Sequence, residues 1–185
     1  MIAAQTLPRL SAEAYLAYEQ ESECRHELVD GYLYAMTGAS DRHEEIAANL
    51  LALIHAHLVG SGCRVYGANL KIRVGDDFFY PDLFVRCAKE RGDPYFKTDP
   101  VLVVEVLSPN TQRYDRGDKW LAYQSLAYQS LESLQQYVLV SQDSPRIELL
   151  TRMETGWKRS LCDALDASLG LSSIGLELPL TAIYA

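Results

Sequence analysis

Apolar residues recur at three- and four-residue intervals between positions 41 and 59, where Ile46, Leu50, Leu53, Ile54 and Leu58 form one stripe. That period predicts an amphipathic helix with the stripe turned inward. His43 lies on the same face, in the first turn. Upstream, Ser11 followed by Glu13, Tyr15, Leu16 and Tyr18 predicts a shorter helix whose first turn the Ser11 hydroxyl caps. Between the two helices, segments 27–29 and 32–35 flank Asp30 and Gly31, a pair suited to the positive backbone angles of a tight hairpin.

Downstream the period shortens. Strands are predicted over 63–74 and 78–85, around the turn residues Gly75, Asp76 and Asp77, and over 137–140 and 147–151, around Asp143, Ser144 and Pro145. The polar, proline-bounded stretch 86–100 reads as a loop. After it, 101–107 (VLVVEVL) is continuous enough to be a strand buried on both faces, with Val103, Glu105 and Leu107 on one side and Leu102, Val104 and Val106 on the other. A further helix starts near Asp115 or Arg116 and carries Lys119. The alternating Leu176, Leu178 and Leu180 suit an edge strand or a docking tail. Strands before and after helices in this order predict an α/β domain with a mixed central β-sheet flanked by helices. One domain over 1–185 is expected, opening with a helix and hairpin (1–36) and closing with a docking tail (160–185).

Within the last helix, LAYQS at 121–125 is repeated at 126–130. Five residues turn a helix by about 500° and lengthen it by about 7.5 Å, so the second copy cannot present the same face. Either the helix is extended or five residues bulge out.

Composition narrows the function classes. With 48% hydrophobic and 23% charged positions over 185 residues, the chain reads as globular. No membrane span or secretory signal is recognisable, so no membrane partner and a cytoplasmic location are expected. The four cysteines show no ligand-like spacing and are read as reduced thiols. The formal net charge of -8 argues against a surface coated with basic residues for gripping nucleic acid. Positions 64–119 are nevertheless balanced, with ten basic and nine acidic residues, which leaves room for a local patch facing phosphates. Motifs for nucleotide cofactors, P-loops and hydrolase elbows are absent from the sequence.

Glu105 is the most informative residue. A lone carboxylate inside a buried strand costs several kcal/mol unless a cation or several donors answer it. Asp82 follows Pro81 in FFYPDLFV, an irregular position of the kind that flanks a site. Two readings stand. The carboxylates converge on a hard divalent cation, which prefers oxygen ligands, or Asp82 caps a bend while Glu105 pairs with an arginine.

The order of these pieces is itself informative. RHELVDG at 25–31, MTGASDRHEEIAANL at 36–50, YPDLFV at 80–85, VVEVLSP at 103–109, YDRGDK at 114–119 and YVLV at 137–140 together resemble the PD-(D/E)xK nuclease superfamily. More closely, they resemble its Uma-type group of restriction-endonuclease-like proteins. The resemblance implies a restriction-endonuclease-like fold and hydrolysis of DNA phosphodiester bonds with Mg²⁺ or Mn²⁺. Asp82 and Glu105 would be metal ligands and Lys119 the residue that orients or deprotonates the attacking water. The superfamily pattern places that lysine two residues after the glutamate, where this chain has Leu107. Arg113 or Arg116 would position the phosphate backbone. His43 matches a histidine typical of the group; metal ligation, a hydrogen bond to a carboxylate and a plain core role all stand open for it. Glu27 also matches a family position, with a structural ion pair or a supporting role open. Homodimerisation is expected from the apolar tail and from two-strand cutting. The rival reading is a catalytically silent interaction or nucleic-acid-binding module that keeps the fold.

Overall fold

The computed structural model of the protein describes residues 9–36, 38–107 and 131–185. Helix α1 (Ala12–Glu21) begins where predicted, with the Ser11 hydroxyl accepting the Ala14 N–H at 3.2 Å. Strands β1 (His26–Val29) and β2 (Tyr32–Ala35) form the expected hairpin. Its turn places Asp30 at φ 50° and Gly31 at φ 80°, the left-handed conformation that an Asp-Gly pair tolerates. Helix α2 (Asp41–Leu58) is capped by Ser40, whose hydroxyl accepts the His43 N–H at 3.2 Å. It buries His43, Ile46, Leu50, Ile54 and Leu58 along the stripe read from the sequence, with Leu53 of that stripe half-buried.

The next two predicted strands each divide. In place of 63–74 stand β3 (Arg64–Gly67) and β4 (Lys71–Val74), and in place of 78–85 stand β5 (Asp77–Phe79) and β6 (Leu83–Arg86). Both divisions are passages from one sheet to another. A five-stranded sheet runs β2-β1-β5-β4-β7, closed by the two-residue β7 (Phe96–Lys97) inside the predicted loop. A six-stranded sheet runs β11-β10-β9-β8-β6-β3, with β8 (Leu102–Leu107), β9 (Gln136–Ser141), β10 (Ile147–Met153) and β11 (Gly156–Cys162). It is mixed, because β8 and β9 are parallel while the remaining pairs are antiparallel. Strands β12 (Ser168–Leu171) and β13 (Leu176–Pro179) make a small ribbon, followed by the short helix α3 (Leu180–Ile183).

Side-chain alternation assigns the layers. Leu102, Val104 and Val106 of β8 join Ile46, Leu50 and Ile54 of α2 in one core, which Leu169, Leu171, Leu178, Leu180 and Ile183 complete. The apolar tail thus docks on α2 of its own chain. Val103 and Leu107, on the other face of β8, meet Ile72, Val74 and Phe79 of the five-stranded sheet. Tyr15 of α1 covers the far side of that sheet against Leu28 and Phe78. Each fully buried aliphatic or aromatic side chain in these layers contributes roughly 1.5–3 kcal/mol relative to exposure.

One expectation is corrected. Cys63 and Cys87 are not free thiols but form a disulfide, with Cα atoms 4.0 Å apart. Arg64 pairs with Arg86, so the register of β3 on β6 sets the two cysteines opposite each other one position further out. Their separation of 24 residues hides this in the sequence. Cys24 and Cys162 are free. No helix among the described residues is long and apolar enough to cross a membrane.

Candidate metal and phosphate site

The register of β6 on β8 builds the site. Leu83 pairs with Val104, and the position before it, Asp82, therefore falls beside Glu105. The Asp82 N–H points at Glu105 Oε2 over 3.4 Å, a long hydrogen bond. Asp82 Oδ2 accepts the Val106 N–H at 2.6 Å, so its carboxylate is tied to the backbone of the strand that carries Glu105. Both faces of β8 are buried, as its unbroken apolar run predicts, and Glu105 is only 3% exposed. The Asp82 side chain, 18% exposed, is the more open of the two carboxylates.

His43 reaches the same point from α2. Its Nε2 stands 3.3 Å from Asp82 Oδ2. Burial by itself would depress the imidazole pKa, but the hydrogen bond and charge of Asp82, together with the Glu44 charge and the Val106 backbone, leave the group above its ordinary value. Nδ1 makes no hydrogen bond among the described residues; the Glu44 carboxylate lies 3.9 Å away. Ser40 fixes this end of the helix, because its hydroxyl also donates to Gln142 Oε1 at 3.0 Å, just past the end of β9. Asp82, Glu105 and His43 are thus brought together. Lys119, Arg113, Arg116 and the repeated LAYQS lie outside the described residues.

A second polar group stands behind Asp82. Glu27 of β1, 5% exposed, accepts the Tyr80 N–H at 2.7 Å. The Tyr80 hydroxyl donates to Glu19 Oε1 and receives Lys71 Nζ, each at 3.0 Å. Burial pushes the Lys71 ammonium below its usual pKa, with Glu19 acting in the opposite sense, and pushes the Tyr80 phenol well above its own. Sequence reasoning passes over Lys71, Tyr80 and Glu19. The available signal is a lysine opening the otherwise half-buried strand KIRV and a tyrosine directly before the irregular Pro-Asp step.

The described residues contain no preformed cage of three or more His, Cys, Asp or Glu groups around a common point. The donor set does fit a hard cation that keeps most of its water, for which one or two carboxylates suffice.

Comparison with known proteins is consistent with this architecture. Residues 12–181 match the family model described as Uma2, "Putative restriction endonuclease". The protein is 40% identical over 181 residues to "Uncharacterized protein slr1290" of Synechocystis sp., covering 96% of this chain and 92% of that one. A second Synechocystis protein, "Uncharacterized protein sll1609", is 25% identical over 153 residues, 80% of this chain and 84% of that one. The fold is similar to that of a crystal structure from Anabaena variabilis described as "a putative nuclease belonging to DUF820", with TM-score 0.77 at 17% identity over 95% of this chain and 97% of the other. With the family model matched from the first helix to the last, the chain belongs to the Uma2 family of restriction-endonuclease-like proteins.

Proposed function

We propose that the protein is a metal-dependent endonuclease that hydrolyses DNA phosphodiester bonds, with Asp82 and Glu105 as the carboxylates that hold Mg²⁺ or Mn²⁺. The observation that carries this reading is the side-by-side position of the two carboxylates on neighbouring strands, with Asp82 held by His43 and the Val106 N–H. When bound, such an ion offsets charge on the scissile phosphate and lowers the pKa of a water. The protein's own groups do the positioning. Val106 and His43 both occupy Oδ2 of Asp82, which leaves Oδ1 for the cation. With Nε2 engaged in this way, hydrogen bonding to Asp82 is the better supported of the roles open to His43. Lys119 keeps the role its motif implies, orienting the attacking water or accepting its proton. Arg113 and Arg116 keep theirs on the phosphate backbone. Cutting of both strands would use a second copy of the chain; Leu169, Leu171, Leu178, Leu180 and Ile183 of the tail are already taken up in the core beside α2.

The test is nicking of supercoiled and linear DNA at low salt with Mg²⁺ or Mn²⁺, comparing the natural protein with Asp82→Ala and Glu105→Ala at matched thermal stability. Metal-dependent cutting that disappears in both variants is the expected result. A protein that neither cuts nor binds metal would transfer the reading to the silent module, which the net charge of -8 and Leu107 at the superfamily's lysine position favour.

A further inference from the structure

The passage from β5 to β6 comprises three residues, Tyr80, Pro81 and Asp82, and it carries the chain from the five-stranded sheet to the six-stranded one. Tyr80 is held at both ends. Its backbone N–H is bound by Glu27, and its hydroxyl by Glu19 and Lys71. The Arg25 guanidinium also lies over its ring, 5.9 Å from the centroid. Pro81 then leaves little slack, since its ring fixes one of the two soft backbone angles. Asp82 comes next, and its carboxylate must meet Val106 N at 2.6 Å and His43 Nε2 at 3.3 Å.

Burying these charges is not by itself a gain in stability. A buried charged network can often be replaced by apolar side chains of similar volume at no loss, because desolvation offsets the attraction between the ions. What a hydrogen-bonded anchor supplies is position. Glu27 is well placed to supply it, because β1 is hydrogen-bonded to β5 with Leu28 opposite Phe78, so its side chain reaches the point where β5 ends. A displacement of about 1 Å at a reacting group can cost roughly 100-fold in rate.

We infer that Glu27 is a positioning residue for Asp82: by accepting the Tyr80 N–H it fixes the start of the rigid Tyr80, Pro81, Asp82 step and thereby the place of the Asp82 carboxylate. This rests on the proposed role of Asp82 and adds a residue that does not itself touch metal or substrate. Positioning asks of Glu27 an acceptor oxygen for the Tyr80 N–H.

The distinguishing pair is Glu27→Gln, which keeps the acceptor, and Glu27→Met, which keeps the length and loses it. Two readouts are used. One is the amide proton shift of Val106, which reports its bond to Asp82 Oδ2 without any metal. The other is calorimetric binding of Mn²⁺ alone. Glu27→Gln is expected to leave both as in the natural protein. Glu27→Met is expected to move the Val106 amide upfield and to weaken Mn²⁺ binding by about 10–100-fold, the range seen when groups that orient metal ligands are removed. A lowered melting temperature in Glu27→Met with both readouts unchanged would overturn the inference, leaving Glu27 a structural carboxylate. Equal losses in Glu27→Gln and Glu27→Met would overturn it in favour of a role for the charge itself. If the natural protein shows no Mn²⁺ binding that depends on Asp82, the nuclease reading fails, while the Val106 amide still decides whether Glu27 positions Asp82.

Discussion

The chain passes between its two large sheets twice within twenty residues, and the two passages are built in opposite ways. From β3 to β4 it goes through an ordinary turn at the surface. Leu70 N–H bonds Gly67 O at 3.3 Å, Asn69 is exposed, and Arg25 ties the turn down from outside through Ala68 O and Asn69 Oδ1. From β5 to β6 it goes through Tyr80 and Pro81, both buried, with Glu19, Glu27 and Lys71 gathered around the tyrosine. Topology therefore requires a passage but not a buried, charged one. The second passage differs in its destination, because it delivers Asp82 to the side of Glu105.

The largest effect should come from the end of that passage. Asp82→Ala or Glu105→Ala is expected to lower DNA cutting by at least about 100-fold, measured by gel-based nicking with Mn²⁺. Retained cutting in either variant would remove the reason given for the buried passage. Next in size is the disulfide. It closes a 24-residue span at the end of β6 remote from Asp82. Cys63→Ser with Cys87→Ser, or reduction, should therefore cost about 3 kcal/mol in denaturant unfolding while leaving the specific cutting rate of folded protein unchanged. A fall in that rate would couple the edge strand to the site.

A direct comparison of the passages should give a smaller but clear contrast. Tyr80→Phe leaves Lys71 and Glu19 each short of a partner and is expected to destabilise by about 1–3 kcal/mol. Asn69→Ala, on the exposed turn, should stay within about 0.5–1 kcal/mol. The smallest effect is the response to alkali. Because the folded Tyr80 phenol holds its proton more tightly than an unfolded tyrosine, the stability it contributes is present below about pH 10 and declines as the pH rises further. Lys71 acts oppositely: its lowered pKa makes stability rise with pH until about 10.5, the unfolded value. Tyr80→Phe should therefore shallow the fall in stability above pH 10, monitored by chemical denaturation, whereas Asn69→Ala should leave its slope unaltered.

How much of the molecule is legible in its sequence depends on the range of the interactions involved. The α2 stripe, the Ser11 cap of α1 and the Asp-Gly hairpin depend on neighbours within a few residues, and the structure has them as read. The two faces of β8 are equally readable, since alternation is local. The divisions at 68–70 and 80–82 are only faintly marked, by Gly67 and Asn69 at the first and by the Pro81-Asp82 step at the second, and that each carries the chain to another sheet depends on long-range geometry. The disulfide and the anchors on Tyr80 join residues far apart in sequence, so their signal is a register and not a spacing. For the site, burial of Glu105 announces a charge needing an answer, and Asp82 and His43 lie against it or against each other. The remaining motif residue, Lys119, belongs to the segment outside the described residues.

The cover over α2 has a consequence for synthesis. Arg42 donates to Tyr184 O, 142 residues downstream, and Asn49 donates to Ile183 O, 134 residues downstream. A ribosome making this chain must therefore translate more than a hundred further residues before the apolar side of α2 can be closed, and until then a sticky helix hangs from the exit tunnel. Contacts of such separation slow folding. They also mean that the helix bearing His43 gains its full support only after residues 183 and 184 have emerged.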